Sequence, residues 1–218
     1  MSETRSIQRL YEDNHLLVVV KPVGMLTQSD HTGDPDLLTA LKADVKVRHK
    51  KPGDVFLGLV HRLDRPVGGV MVFARTSKGA ARLSEQIRNR TFEKIYRARV
   101  QGQPPKTRDT LEHYLLKDER NNRVSVVAPN APGAKQALLE YQCLSHDDAT
   151  NTSVLEVNLY TGRPHQIRVQ LAAIGCPLVG DTKYGGGREG DLALWSYRIR
   201  FKHPTRDEWL TFEAPPPW

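Results

Sequence analysis

The chain has 218 residues, of which 39% are hydrophobic and 26% are charged, so it can form one large or two small globular domains with a packed core. The longest apolar run near the start, HLLVVV, stops at Lys21, and no window approaches the roughly 20 apolar residues of a membrane-spanning helix. The polar start, MSETRSIQRLYEDNH, carries acids and is unlike a secretory signal peptide, so we expect a cytoplasmic protein.

The charge and the cysteines narrow the choice of partners. The formal net charge is +7 and the pI is near 9.5, which is compatible with a polyanionic partner such as a nucleic acid. Cys143 and Cys176 belong to no CxxC pair and have no histidine at the spacing of zinc ligands. We therefore expect two buried free thiols and no bound metal.

The first half of the chain is predicted to alternate strands with helices. HLLVVV, residues 15–20, has the composition of a buried strand, and KPVG at 21–24 forms the turn that ends it. Residues 36–47 carry leucine and valine at the spacing of an amphipathic helix. A basic loop, RHKKPGD, then leads to LGLVHRLD, and VMVFAR is a second buried strand. Thr76 or Ser77 is expected to cap a helix in SKGAARLSEQIRNR.

The second half is predicted to consist mainly of strands. TFEKIYRARVQG alternates as a strand, and short alternating runs between residues 107 and 161 indicate an antiparallel region. PHQIRVQLAAIG is the last predicted helix, with Pro164 as its first residue and Gly175 just beyond its end. ALWSYRIRF and EWLTFEAP close the chain as strands. No linker or repeat divides the sequence, so we expect a single domain.

The stretch VHRLDRPVGGVMVFAR, residues 60–75, places one acid, Asp64, among basic neighbours in a polar loop ahead of a buried strand. Such a loop can present a carboxylate in a cleft, and Gly68 and Gly69 permit a tight path or a positive φ and would let the backbone approach a ligand closely. The alternative is that Asp64 caps a turn or pairs with Arg62, which is the commoner role for an isolated short motif.

A second group of polar residues lies in YTGRPHQIRVQLAAIGCPLVGDTKYG, residues 160–185. On the predicted helix, His165 and Arg168 share a face near the N-terminal end, where the helix dipole attracts anions. Together with Arg163 they could hold a phosphate or pair with an ionised carboxylate. The alternative is a solvated basic helix end.

A third stretch, FEKIYRARV, places Lys94 and Tyr96 on the same face of a predicted strand. A tyrosine ring can stack on a nucleobase, although most strand tyrosines serve core or surface packing.

In chain order, KPVG, HRLD with its glycine-containing continuation, KxYxA at 94–98, and GRPHQIR followed by LVGDxxYG strongly resemble the RluA-type pseudouridine synthases, from about residue 15 to residue 200. The resemblance implies an α/β (α+β) fold, with a mixed, largely antiparallel sheet, flanking helices and a central basic cleft. It also implies one catalytic domain over residues 1–218, without the N-terminal S4 RNA-binding domain of many relatives. Val67, Gly68 and Pro164 stand where the family usually has Thr, Ser and Thr.

The resemblance assigns catalysis to Asp64, packing against the target uracil to Tyr96, and an ion pair with Asp64 to Arg168. Arg62 is implied to fill the gap that a flipped nucleotide leaves. Around these groups we predict a further set of substrate-binding residues: His61, Arg65, Lys94, Arg163, His165, Gln166 and Ile167. No metal or organic cofactor is implied.

The implied activity is that of an isomerase, which flips specific uridines out of structured ribosomal or transfer RNA and converts them to pseudouridine. The carboxylate acts as a nucleophile at C1′ or C6, or as the base that removes the proton next to C1′, and the residues do not choose among these. We expect a monomer whose partner is RNA. Two other classes compete: a non-catalytic RNA-binding protein, which has little use for Asp64 with Tyr96 and Arg168, and a hydrolytic glycosylase, which would release free uracil.

Overall fold

The computed structural model describes residues 7–187 and 190–218 of the chain. Within these residues there are three helices: α1 (Leu37–Arg48), α2 (Ser77–Arg88) and α3 (Gln166–Ala173). The strands of the same residues are β1 (Arg9–Glu12), β2 (Leu16–Lys21), β3 (Gly58–Leu59), β4 (Gly68–Ala74), β5 (Glu93–Gln101), β6 (Arg108–Asp118), β7 (Arg123–Val127), β8 (Lys135–Asp147), β9 (Thr152–Leu159), β10 (Leu194–Lys202) and β11 (Trp209–Glu213). The strand pairs are largely antiparallel, which confirms the predicted fold class.

The chain divides into two compact units. The first unit comprises the described residues up to Phe92 together with Ser196–Pro215, and the second comprises Glu93–Trp195 and Pro216–Trp218. Both units lie within the span expected to form one catalytic domain, and the single-domain assignment stays a prediction.

The first unit is a sheet covered by helices, with strand order β1-β2-β4-β10. Each of its helices begins directly after a capping side chain: the Asp36 carboxylate accepts the Thr39 N–H at 2.9 Å, and the hydroxyl of Thr76, a predicted cap, accepts the Gly79 N–H at 3.1 Å. Residues 16–20 of the apolar run form β2, which starts after His15 and continues to Lys21, one residue into the predicted turn. Helix α2 packs its Leu83 stripe onto the neighbouring β4. The buried core of this unit consists of Leu16, Val18, Val70, Val72, Ala74, Leu83, Phe92, Ile199, Phe201 and Ala214.

The second unit is an antiparallel sheet in the order β5-β9-β8-β6-β7, as the alternating runs predict. Helix α3 packs against β6 and β7. Cys176 is buried as expected, but Cys143 is only half-buried because it lies next to a register shift in the pairing of β8 with β9. Neither cysteine is in a disulfide.

The start of α3 differs from the prediction. The helix begins at Gln166, so Pro164 is not its first residue, and the cap residue His165 is in the left-handed conformation with φ of 51°. The Gln166 side chain explains the delay, because its Oε1 accepts the Arg163 N–H at 3.0 Å and the Thr161 hydroxyl at 2.8 Å. These bonds hold residues 161–165 as a turn. The predicted end is confirmed, since Gly175 follows the helix with φ of 80°.

Gly69 is required by a close approach of two strands. Its φ is 119°, and a Cβ at this position would lie 2.6 Å from the Ser196 nitrogen and closer still to its carbonyl oxygen. Ser196 belongs to β10, so the glycine lets β4 and β10 pack together. The positive φ that the sequence predicts for this glycine pair is confirmed at Gly69, and the approach of a ligand to its backbone stays a prediction.

Gly69→Ala should therefore destabilise the protein by about 3 kcal/mol or more, because the new methyl adds steric overlap to an unfavourable φ. Gly53→Ala is the matched control, since no atom lies within 4 Å of a Cβ there. Urea unfolding of both variants measures the difference. Equal stability of the two variants would contradict this explanation of Gly69.

A cluster of polar residues around Asp13 joins the turn between β1 and β2 to the hairpin between β10 and β11. Asp13 Oδ1 accepts the N–H groups of His15 and Leu16, both at 2.8 Å. Its Oδ2 accepts from His203 Nε2 at 2.8 Å and from Arg206 Nη2 at 3.0 Å. Burial raises the pKa of Asp13, but these hydrogen bonds outweigh that effect and lower it to about 2.

Because the folded pKa of Asp13 lies below the ordinary value of 3.8, ionised Asp13 stabilises the protein above pH 3.8 and loses that effect as the pH falls through 2. We expect Asp13→Asn to lower the free energy of unfolding at pH 7 by about 2 kcal/mol. Asp54→Asn, in an exposed loop, should have no effect. Chemical denaturation at neutral and acid pH tests this, and a variant as stable as wild type at pH 7 would refute it.

Candidate active site

Asp64 lies in the irregular segment between β3 and β4, as the sequence predicts, and its side chain is partly exposed. Its carbonyl oxygen accepts the Val67 N–H at 3.0 Å, which closes a tight turn directly after the aspartate. An acid on such a turn depends on neighbouring contacts for a fixed position.

A fully buried lysine bonds to the backbone next to Asp64. Lys21, the last residue of β2, donates from Nζ to the carbonyl oxygens of Pro22 at 3.1 Å, Arg65 at 3.1 Å and Val67 at 2.7 Å. Burying an ammonium is costly unless its hydrogens are bonded, and here all three are. Burial lowers the pKa of Lys21 to about 8, while the negative charge of Asp64 acts in the opposite direction. Lys21 therefore fixes the backbone after Asp64 and places a positive charge near its carboxylate.

Thr27 fixes the backbone on the other side of Asp64. Its hydroxyl donates to the Leu63 carbonyl oxygen at 2.7 Å and lies 3.3 Å from the Leu63 nitrogen as an acceptor. The Gly24 N–H adds a bond of 3.0 Å to the Arg65 carbonyl oxygen. The backbone on both sides of Asp64 is thus bonded to the segment that follows β2.

Sequence reasoning missed Lys21 and Thr27 as site residues. KPVG was interpreted as a turn, and Lys21 only as the end of the apolar run. The three carbonyl partners of Lys21 are set by tertiary structure and could not be predicted.

The basic residues around Asp64 have different environments. His61 accepts the Val72 N–H at Nε2, 3.1 Å away, and its ring centroid lies 5.6 Å from that of Phe92, so it is fixed against the core. Arg65 donates to Asp34 at 2.6 Å and to the Gly24 carbonyl oxygen at 3.1 Å. Arg62 is exposed. If Arg65 binds a phosphate of the substrate, it must first release its hydrogen bond to Asp34.

In the second unit, Lys94 and Tyr96 are both buried on β5, and Tyr96 is only 6% exposed. Burial lowers the pKa of Lys94. Lys94 Nζ lies 3.6 Å from the position of a Cβ on Gly162, so β5 meets the turn that precedes α3. The structure therefore brings the KxYxA motif of β5 close to the start of the GRPHQIR motif within this unit.

Arg168 is held by a carboxylate that sequence reasoning did not assign. Its Nε donates to Asp181 Oδ2 and its Nη2 to Asp181 Oδ1, both at 2.8 Å, and both side chains are buried, at 9% and 0% exposure. Asp181 belongs to the LVGDxxYG landmark and is the only acid between Glu156 and Glu189, which was a usable signal. The predicted ion pair of Arg168 with Asp64 stays a prediction.

Tyr184, from the same landmark, packs on this pair. The Arg168 guanidinium carbon lies 5.1 Å from the centre of its ring, a cation–π distance. The Tyr184 hydroxyl accepts the Val124 N–H at 2.9 Å and lies 2.7 Å from His165 Nδ1. Two predicted site residues, His165 and Arg168, are thus connected through Tyr184.

The remaining predicted residues lie in or near the turn before α3. Arg163 is exposed, and its Nε donates to the Gln136 carbonyl oxygen at 2.9 Å. Gln166 is buried and stabilises the turn, and its Nε2 also donates to the Leu138 carbonyl oxygen at 3.1 Å. Ile167 is buried. Roles of these residues in substrate binding stay predictions.

The described residues hold no group of three or more His, Cys, Asp or Glu side chains that could bind a metal ion. None of the helices in the described ranges is long and apolar enough to cross a membrane.

A model of the RNA pseudouridylate synthase family matches residues 15–173, so the chain belongs to this family. YhcT of Bacillus subtilis, an uncharacterized RNA pseudouridine synthase, is 34% identical over 95% of this chain and 68% of the relative. The ribosomal large subunit pseudouridine synthase C of Vibrio parahaemolyticus is 33% identical over 94% of this chain and 64% of the relative. The chain thus spans about two thirds of the length of these relatives. The predicted family and its enzyme class, an isomerase, are confirmed.

The human RNA pseudouridylate synthase domain containing 4 protein has a similar structure. The TM-score is 0.81 at 24% sequence identity, over 96% of this chain and 88% of the human chain. This similarity confirms the predicted pseudouridine synthase fold.

Lys21→Met tests whether the buried lysine positions Asp64, because methionine fills similar space but donates no hydrogen bonds. We expect the single-turnover rate on saturating RNA to fall about 10- to 100-fold, as small misplacements of a catalytic group do. Lys78→Met, on the exposed side of α2, is the control and should react like wild type. Thermal melting of both variants checks that they are folded.

The same contacts predict an alkaline limb in the rate of the wild-type protein. As the pH rises through about 8, Lys21 loses its proton, and the neutral amine has only two hydrogens for three carbonyl oxygens. The rate should therefore fall above this pH, and Lys21→Met should lack this limb. A Lys21→Met variant with the wild-type rate would show that Lys21 does not position Asp64.

Proposed function

We propose that this protein converts uridine to pseudouridine in RNA with Asp64 as its catalytic carboxylate. The observation that carries the proposal is the HRLD loop in a chain of this family, with its backbone bonded on both sides of Asp64 and the Lys21 ammonium nearby. A carboxylate in a fixed position pays little ordering cost when it meets its substrate.

The reaction is an isomerisation with no redox change. The N1–C1′ glycosidic bond breaks, the uracil turns, and a C5–C1′ bond forms, while the proton on C5 leaves to water and N1 gains one. Asp64 acts as a nucleophile at C1′ or C6, or as the base that removes the proton next to C1′. Each role needs the carboxylate within contact distance of the flipped nucleotide.

Tyr96 and Arg168 complete the proposed catalytic group. Tyr96 packs against the uracil, and its burial keeps the ring in one position. Arg168 pairs with Asp64 through hydrogen bonds to its carboxylate. Arg62, which is exposed, fills the gap that the flipped nucleotide leaves in the RNA.

Ribosomal RNA of the large subunit is the proposed target. The support is the 33% identity to a relative named for the large ribosomal subunit. The net charge of +7 favours a phosphate-rich partner. We propose that the protein acts as a monomer in the cytoplasm, and that transfer RNA is the alternative substrate.

Asp64→Asn should abolish conversion, with RNA affinity within about tenfold of wild type, since each tenfold is only about 1.4 kcal/mol. Tritium release from RNA labelled at C5 of uridine measures conversion, because the C5 hydrogen is lost only when the new bond forms. Asp148→Asn, a fully exposed acid of the second unit, is the control and should retain full activity.

Three results would contradict the proposal. Substantial tritium release by Asp64→Asn would remove Asp64 from the chemistry. Free uracil in the wild-type reaction would favour a glycosylase, and RNA binding without any tritium release would favour a non-catalytic binding protein.

A further inference from the structure

The guanidinium of Arg168 has two edges that can each donate two parallel hydrogen bonds. One edge, formed by Nε and Nη2, is occupied by Asp181 at 2.8 Å for both bonds. The other edge, formed by Nη1 and the second hydrogen of Nη2, is turned away from Asp181 by the planar geometry of the group. Asp181 therefore decides which way this second edge points.

Asp181 is itself held in place. Its Oδ1 also accepts the N–H groups of Lys183 at 3.1 Å and Tyr184 at 3.2 Å, and the residue is 1% exposed. Gly186 lies so close to the Asp181 backbone that a Cβ there would be 2.9 Å from its nitrogen. The carboxylate is thus a rigid acceptor fixed by the backbone of its own loop.

Tyr184 restrains the guanidinium from a second direction. Its ring lies under Arg168, and its hydroxyl is fixed by the Val124 N–H of β7 and by His165 at the start of α3. A free arginine loses rotamer entropy when it is ordered. In this unit Arg168 is already ordered when the chain folds, so RNA binding does not have to order it.

We infer that Asp181 and Tyr184 are positioning residues for the reaction, which hold Arg168 so that its second edge faces the reacting groups. The inference rests on the proposed function. Because the Arg168–Asp181 pair has no net charge, Arg168 acts through directed hydrogen bonds more than through a long-range field, and such bonds depend on orientation.

A purely structural ion pair is the competing explanation, since removing one partner of a buried pair leaves the other charge unpaired and destabilises the protein. The two explanations differ in what Asp181→Asn changes. A positioning role predicts a loss of about 10-fold or more in the single-turnover rate at saturating RNA, with RNA affinity within about threefold of wild type. A structural role predicts lower stability with an unchanged rate for the folded fraction.

Glu140→Gln is the matched control for Asp181→Asn. Glu140 also pairs with an arginine of the second unit, Arg108, on the neighbouring strands β6 and β8. Its rate at saturating RNA should equal that of wild type. Tyr184→Leu should resemble Asp181→Asn, and Tyr184→Phe, which keeps the ring over Arg168, should retain more of the rate than Tyr184→Leu.

A double-mutant cycle tests whether Asp181 acts through Arg168. In an Arg168→Ala background, Asp181→Asn should cause no further loss of rate, since the group that it positions is gone. Independent, additive losses would overturn the inference. So would a wild-type rate for folded Asp181→Asn.

Nitrogen-15 NMR gives a readout that does not depend on activity. The Nε–H signal of Arg168, assigned by its absence in Arg168→Lys, should be sharp and slow to exchange in the wild-type protein without RNA. It should broaden or exchange rapidly in Asp181→Asn. A wild-type signal that exchanges as fast as those of exposed arginines would refute a fixed orientation, whatever the rates show.

The failures of the two proposals are distinguishable. A wild-type protein that releases no tritium refutes the proposed function, and the positioning role falls with it. An active wild-type protein with an equally active Asp181→Asn variant refutes the positioning role alone.

Discussion

The buried ammonium of Lys21 is the constraint on which the candidate site depends. A lysine without exposure to solvent is tolerated only if its three hydrogens find acceptors, and the acceptors here are the carbonyl oxygens of Pro22, Arg65 and Val67. Folding of the first unit therefore brings the turn after β2 and the loop before β4 together in one arrangement. Asp64 lies between the bonded positions, so its backbone is fixed by the same interaction that makes the buried lysine acceptable.

The second unit fixes its own charged group by a similar principle. Arg168 is buried, and its cost of desolvation is offset by two bonds to Asp181 and by the Tyr184 ring. In both units a buried cation is oriented by acceptors that the fold supplies. Such preorganised groups need little rearrangement when a charged substrate binds, which is how electrostatic catalysis gains its effect.

Local patterns were sufficient to predict most of the elements. The N-cap at Thr76, the alternation of β5 and the glycine after α3 follow from short-range rules, and all three are confirmed. The start of α3 was missed because the Gln166 side chain bonds the preceding turn, a competition that helix propensity does not describe.

The candidate site was predicted less completely than the fold. The motifs identified Asp64 and Arg168, but the partners Lys21 and Asp181 were not assigned, since buried hydrogen bonds between distant segments leave no periodic signal in a sequence. The reason for Gly69 was also missed, because the strand that it contacts follows it by more than 100 residues. Asp181 could have been assigned from the sequence, because it is an isolated acid in the LVGDxxYG motif.

The central claim is that the Asp64 loop is fixed before RNA binds, and amide hydrogen exchange of the RNA-free protein tests it most directly. The amides of Gly24, Leu63 and Val67, which bond to the Arg65 carbonyl, the Thr27 hydroxyl and the Asp64 carbonyl, report on the loop. Our account predicts that all three are protected in the wild-type protein without RNA and lose that protection in Lys21→Met, while the β4 amides stay protected. Protection that appears only after RNA is added would contradict it.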